Sequence, residues 1–136
     1  MNDKNEELII IQKPKEEETV KFILKGRINT STASFLERKL KTVITDEGVK
    51  NFLLNMAQVE YLSSSGIRVI LKLYKYVGEL GGKFNIEFPS ENVKNVLGLI
   101  ALDKMLIIKS SFNKNSENSE NSKNNENSEN EQNGNK

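Results

Sequence analysis

The chain has 136 residues, a length that suits one domain, and its 20 basic and 19 acidic side chains leave a formal net charge of +1. It contains neither cysteine nor histidine, which excludes disulfides, thiolate catalysis, cysteine zinc sites and any triad built on an imidazole base. The stretch from Ser111 to Lys136 holds three Lys and five Glu, so residues 1–110 carry a net +3, too weak and too scattered for a nucleic-acid footprint.

The N-terminal MNDKNEELIII places acids before a brief apolar run and does not read as a signal peptide. No apolar segment approaches the roughly 20 residues needed to cross a bilayer. A cytoplasmic domain without membrane insertion is expected. Leu8 to Ile11 is predicted as a short strand ended by Lys13-Pro14, and Lys15-Glu16-Glu17-Glu18 as a hydrated turn. Val20, Phe22 and Leu24 alternate with Lys21, Ile23 and Lys25, the period of a strand with one wetter face. The short gap between the two strands predicts an antiparallel hairpin.

Gly26 is predicted to close the second strand, and Thr30-Ser31 to cap a helix with Leu36, Leu40, Val43 and Ile44 on its apolar stripe. Gly48 then stops that helix. Phe52, Leu53 and Leu54 form an unbroken apolar run, as expected of a strand buried on both faces. A short connection leads to Ser63-Ser64-Ser65-Gly66, and Ile67, Ile70, Leu71 and Tyr74 recur at helical spacing behind it. Gly81-Gly82 ends this helix. Phe84, Ile86 and Phe88 predict a further strand ended by Pro89, and Ser90 caps a short helix with Val93, Val96, Leu97 and Ile100. Met105 to Ile108 is predicted as the last strand. Strand–helix alternation from Phe52 to Ile108 implies right-handed crossovers. The expected architecture is thus α/β, a largely parallel mixed sheet of about five strands with an antiparallel first hairpin and helices packed on it. Residues 1–110 form the domain. Residues 111–136, rich in Asn, Ser and Glu, are expected to be disordered, because they bury too little apolar surface to offset chain ordering.

No catalytic constellation emerges, and no enzyme activity, cofactor or metal is expected. Gly78-Glu79-Leu80-Gly81-Gly82-Lys83 is one residue short of a phosphate-binding P-loop, and Phe84 stands where that loop needs a hydroxyl. These glycines also follow a helix, whereas a P-loop precedes one. The serines at 63–65 therefore carry the chemical interest. They crowd a strand-to-helix junction, where free backbone N–H groups favour hydroxyl caps and negative charge. Three readings stay open: helix capping, phosphorylation, and binding of a phosphate or nucleotide at the helix N-terminus.

The core YLSSSGIRVILKLYK resembles the signature of STAS domains, in particular bacterial anti-sigma factor antagonists. Gly26-Arg27-Ile28-Asn29-Thr30-Ser31-Thr32-Ala33 resembles the second motif of that family, and the likeness spans about residues 6–109. The resemblance implies a STAS fold and a regulatory role in transcription by partner switching. The implied partner is an anti-sigma factor that is also a serine kinase, bound by the unphosphorylated form and released by the phosphorylated one. It places the phosphorylated serine at Ser64 and the partner-binding surface at Asn29, Ser63, Ser65, Gly66 and Arg68, with the exposed part of the second helix. Ser63 and Asn29 stand where the family has aspartates, and Arg68 where it often has a small residue. The helix that closes the family fold after the last strand is replaced by the polar tail. Alternatives are a STAS scaffold or accessory module that is never phosphorylated, and a nucleotide- or phosphate-binding protein.

Overall fold

A computed structural model describes residues 3–4, 7–46 and 48–109. The expected disorder of residues 111–136 concerns positions outside the described residues. The elements in chain order are β1 (Asp3–Lys4), β2 (Leu8–Gln12), β3 (Thr19–Ile28), α1 (Thr30–Asp46), β4 (Asn51–Leu62), α2 (Ser64–Glu79), β5 (Lys83–Glu87), α3 (Glu91–Leu99), α4 (Asp103–Leu106) and β6 (Ile107–Lys109). They build one six-stranded sheet whose strands lie in sequence order. The two-residue β1 adds a strand to the expected five.

The hairpin forms as the alternation requires: β2 and β3 pair antiparallel, with Ile10 opposite Leu24. From β3 onward every neighbour is parallel. Right-handed crossovers through a sheet that advances in one direction put α1 and α2 on the same face. Alternate strand residues, among them Val20, Phe22, Leu24, Phe52, Leu54, Met56, Phe84 and Ile86, are buried together with Leu36, Leu40, Ile70, Leu73 and Val77 of the two helices. Phe22, Phe52 and Phe84 stand side by side across β3, β4 and β5, with successive ring centroids 6.4 Å apart. Offset aromatic neighbours at this spacing add to their burial.

Several sequence expectations are corrected. The run Phe52-Leu53-Leu54 is not buried on both faces: Phe52 and Leu54 are buried, whereas Leu53 is only half-buried. No loop separates this run from the serines, because β4 continues to Leu62, with Val59 and Leu62 buried. Its long partner explains the length. Gly26 does not end β3, which runs on to Ile28 and pairs Gly26 with Val59 and Ile28 with Leu62 across two register shifts. At Gly26 the backbone has φ +118° and a Cβ would strike the carbonyl oxygen of Glu7, so glycine serves passage through the sheet.

The buried stripe of α2 is Gly66, Val69, Ile70, Leu73 and Val77, while Ile67, Leu71 and Tyr74 are half-buried at its margins. Phe88 lies beyond β5 with φ 52°. Ile100 follows α3 as an exposed residue. Met105 belongs to α4, and only Ile107–Lys109 forms strand β6. In these places a local apolar pattern served equally well for two structures, and contacts elsewhere in the fold chose between them.

Candidate functional site

The carboxyl ends of β3 and β4 lie side by side, so the helices that follow start side by side too. Each junction is capped by its own side chain. At α2, Ser63 is extended (φ −82°, ψ 170°) and its Oγ accepts from the backbone N–H of Gly66 at 3.0 Å. Its carbonyl accepts from Ile67 N–H at 2.9 Å. Its own N–H donates to the carbonyl of Ile28 at 2.9 Å, tying the start of α2 to the end of β3.

At α1 the cap is Asn29, one residue before the predicted Thr30-Ser31, which belong instead to the first turn. Asn29 Oδ1 accepts from Thr32 N–H at 3.0 Å, and Asn29 N–H donates to Thr32 Oγ1 at 2.8 Å, a reciprocal cap at spacing three. Thr32 is fully buried, and its hydroxyl donates to the carbonyl of Arg27 at 2.8 Å. The strand runs two residues further than Gly26, which is why the helix starts where it does.

The expected site residues are brought together. Ser64, the first residue of α2, is exposed, and its hydroxyl makes no hydrogen bond among the described residues. Ser65 is half-buried, its Oγ 3.3 Å from Thr30 Oγ1, so the first turns of the two helices touch. Gly66 is buried, and a Cβ there would lie 2.6 Å from Ile28 Cγ2 and 2.8 Å from Leu62 Cδ1. Arg68 is exposed one turn further along α2.

Other residues of this region went unnoticed in the sequence. The Glu7 carboxylate accepts a hydrogen bond from Asn29 Nδ2, so a negative charge stands beside the position where the family has an aspartate. The Arg27 guanidinium lies over the Tyr61 ring, 4.6 Å from its centroid. Glu37 on α1 holds Lys72 of α2 at 3.0 Å and Lys41 at 3.6 Å. The hydrogen bond from Lys72 keeps the Glu37 carboxyl below its usual range. Of the contacts in this region, the Asn-x-x-Thr spacing at 29–32 and the Glu37–Lys41 pair at spacing four carried a local signal. The others join residues distant in the chain.

Among the described residues, no group of three or more His, Cys, Asp or Glu is arranged to hold a metal ion. The described helices include none long and apolar enough to cross a membrane. Among the described residues, no side chain is hydrogen-bonded to the Ser64 hydroxyl as an activating base would be. Its exposed hydroxyl suits an acceptor of a group delivered by another protein.

A predominantly parallel sheet that places two capped helix starts at one end is the arrangement of the STAS domain. Residues 11–115 match the STAS domain family model, and the chain belongs to that family. Its sequence is 26% identical over 101 residues to a Thermotoga neapolitana protein named as a candidate anti-sigma factor antagonist, covering 74% of this chain and 89% of that one. The crystal structure of a candidate anti-sigma factor antagonist from Thermotoga maritima superposes with a TM-score of 0.65 at 25% identity, covering 76% of this chain and 87% of that one. The anti-sigma factor antagonist SpoIIAA in its unphosphorylated form gives a TM-score of 0.67 at 19% identity, covering 76% and 89%. The fold is therefore that of the anti-sigma factor antagonists.

Proposed function

We propose that this protein is an anti-sigma factor antagonist that binds an anti-sigma factor of the serine-kinase type and is switched off by phosphorylation of Ser64. The observation that carries the reading is the exposed, hydrogen-bond-free Ser64 hydroxyl at the first position of α2, beside the start of α1. Asn29, Ser63, Ser65, Gly66 and Arg68 surround the partner-binding surface in this reading. SpoIIAA has been solved in both unphosphorylated and phosphorylated forms, which supports a phosphorylation switch on this fold. The protein itself needs no catalytic group. The kinase partner transfers the γ-phosphoryl group of ATP to Ser64 Oγ, ADP leaves, and the hydroxyl proton passes to a base on the kinase.

The physical logic is one of charge. A phosphoserine adds about −1.5 to −2 charges. An unpaired charge in a desolvated interface costs about 2–5 kcal/mol, roughly 30- to 4,000-fold in affinity. That suffices for an off state with no refolding. The decisive experiment is intact-mass measurement and phosphosite mapping of the protein from its native cells, with and without stress. A single phosphate on Ser64 that varies with conditions is the expected result. Absence of phosphate under every condition would overturn the switch.

A second reading, a STAS scaffold or accessory module that is never phosphorylated, is favoured by one observation. Ser63 and Asn29 are both occupied as helix caps and carry no charge of their own. Partner binding that survives intact while no kinase modifies Ser64 would select it.

A further inference from the structure

We infer that a phosphate on Ser64 is captured within the same chain by Arg68. The inference rests on Ser64 being the acceptor. Ser64 and Arg68 are four residues apart on α2 and both are exposed. Such pairs share one helix face, with Cβ atoms about 5–6 Å apart. A guanidinium on a three-methylene stem and a phosphoryl group on Oγ together close that gap. The Arg68 guanidinium makes no ion pair or hydrogen bond among the described residues. Lys72, one turn further on, is held by Glu37 at 3.0 Å.

The surroundings leave Arg68 to answer the new charge. It lines a crevice of about 240 Å³ between α1 and α2 with Thr30, Ser34, Ser65 and Lys72. Facing groups are already committed: on α1, Glu37 to Lys72 and Lys41; on β3, Arg27 to the Tyr61 ring; before β2, Glu7 to Asn29. A guanidinium takes phosphate oxygens in a two-pronged, charge-assisted contact that an ammonium does not reproduce.

The consequence is a switch with two faces. In the unmodified protein Arg68 stands free to meet acidic groups of a partner. In the phosphorylated protein it is turned onto its own phosphate, so one modification adds an anion and withdraws a cation. Arg68, a departure from the family pattern, is then a working part of the switch.

The test uses the full chain with phosphoserine installed at position 64 during translation, so that no kinase is required. Phosphorus-31 NMR follows the second ionisation of the phosphate. The midpoint should lie about half a pH unit lower in the phosphorylated native chain than in phosphorylated Arg68→Gln. Arg68→Lys should recover only part of the difference. Lys75→Gln, which removes the same charge from the exposed face of α2, should leave the midpoint unchanged. Equal midpoints for the native chain and Arg68→Gln would overturn the capture, as would an equal response to Lys75→Gln. Absence of phosphate on Ser64 in cells is a separate outcome, read by the mass measurement, and it bears on the acceptor assignment alone.

Discussion

Ser63 donates its backbone N–H to the carbonyl of Ile28 at 2.9 Å. The residue that caps α2 is thus fastened to the last residue of the strand that leads into α1. Two helix starts belonging to different crossovers are held as one surface by this bond, by the Thr30–Ser65 hydroxyl contact and by the seat of Gly66 against Ile28 and Leu62. The consequences are measurable.

Gly66→Ala should destabilise the fold by about 1–3 kcal/mol, because the added methyl enters space already held by Ile28 and Leu62. At an unobstructed helix position the same change would stabilise by up to about 1 kcal/mol. Urea denaturation therefore reads the sign directly, and a stabilised variant would refute the packing argument.

Ser63→Ala should cost about 1 kcal/mol through loss of the cap on Gly66 N–H. Ser63→Asp keeps an acceptor at the cap and should stay within about 0.5 kcal/mol of the native chain. Thermal melts of both variants separate a capping role from a general need for serine.

Ser64→Ala should leave stability within about 0.5 kcal/mol, since the side chain is exposed and makes no hydrogen bond among the described residues. The same variant should accept no phosphate from a kinase that modifies the native chain. Loss of stability beyond that range would show that Ser64 has a structural role.

Asn29→Asp would restore the acid of the family pattern, yet here it should destabilise by about 1–2 kcal/mol at neutral pH. The carboxamide donates to Glu7 through Nδ2, and a carboxylate would set two negative charges together. Combining the change with Glu7→Gln should recover most of the loss. A double-mutant cycle by chemical denaturation measures the coupling.

Glu37 supplies a pH dependence. Its folded-state carboxyl titrates below the ordinary value of 4.5, chiefly through the hydrogen bond from Lys72. A depressed acid pKa stabilises the fold above the ordinary value, and that gain is lost as the pH falls through the depressed one. The pair is partly exposed, so the gain should not exceed about 1 kcal/mol. Glu37→Gln should accordingly lower stability near neutrality and converge with the native chain in strong acid, as followed by urea titrations at each pH.

Much of this protein was legible in local patterns. The alternation of Val20, Phe22 and Leu24 marked β3, the glycines at 48 and 81–82 bounded the helices, and the serines at 63–65 marked the start of α2. Each is a relation among residues within a turn or two, where sterics and hydrogen bonding act without help from the rest of the fold. The lengths of β3 and β4 were not legible. Gly26 looks like a strand end until Leu8 and Val59 pair with it on its two sides, and that extension moved the α1 cap from Thr30-Ser31 to Asn29. The Glu7–Asn29 contact spans 22 positions. It exists because β2 pairs with β3 in the register that sets Leu8 opposite Gly26, with the N–H of Arg27 donating to the carbonyl of Glu7 at 2.8 Å. Sequence alone determined the family, the order of the elements from β2 to α3 and the serine cluster in which the cap of α2 lies. The charge placed beside the cap of α1, Glu7 at Asn29, was decided by tertiary structure, because strand register brings distant side chains together and no local pattern encodes it.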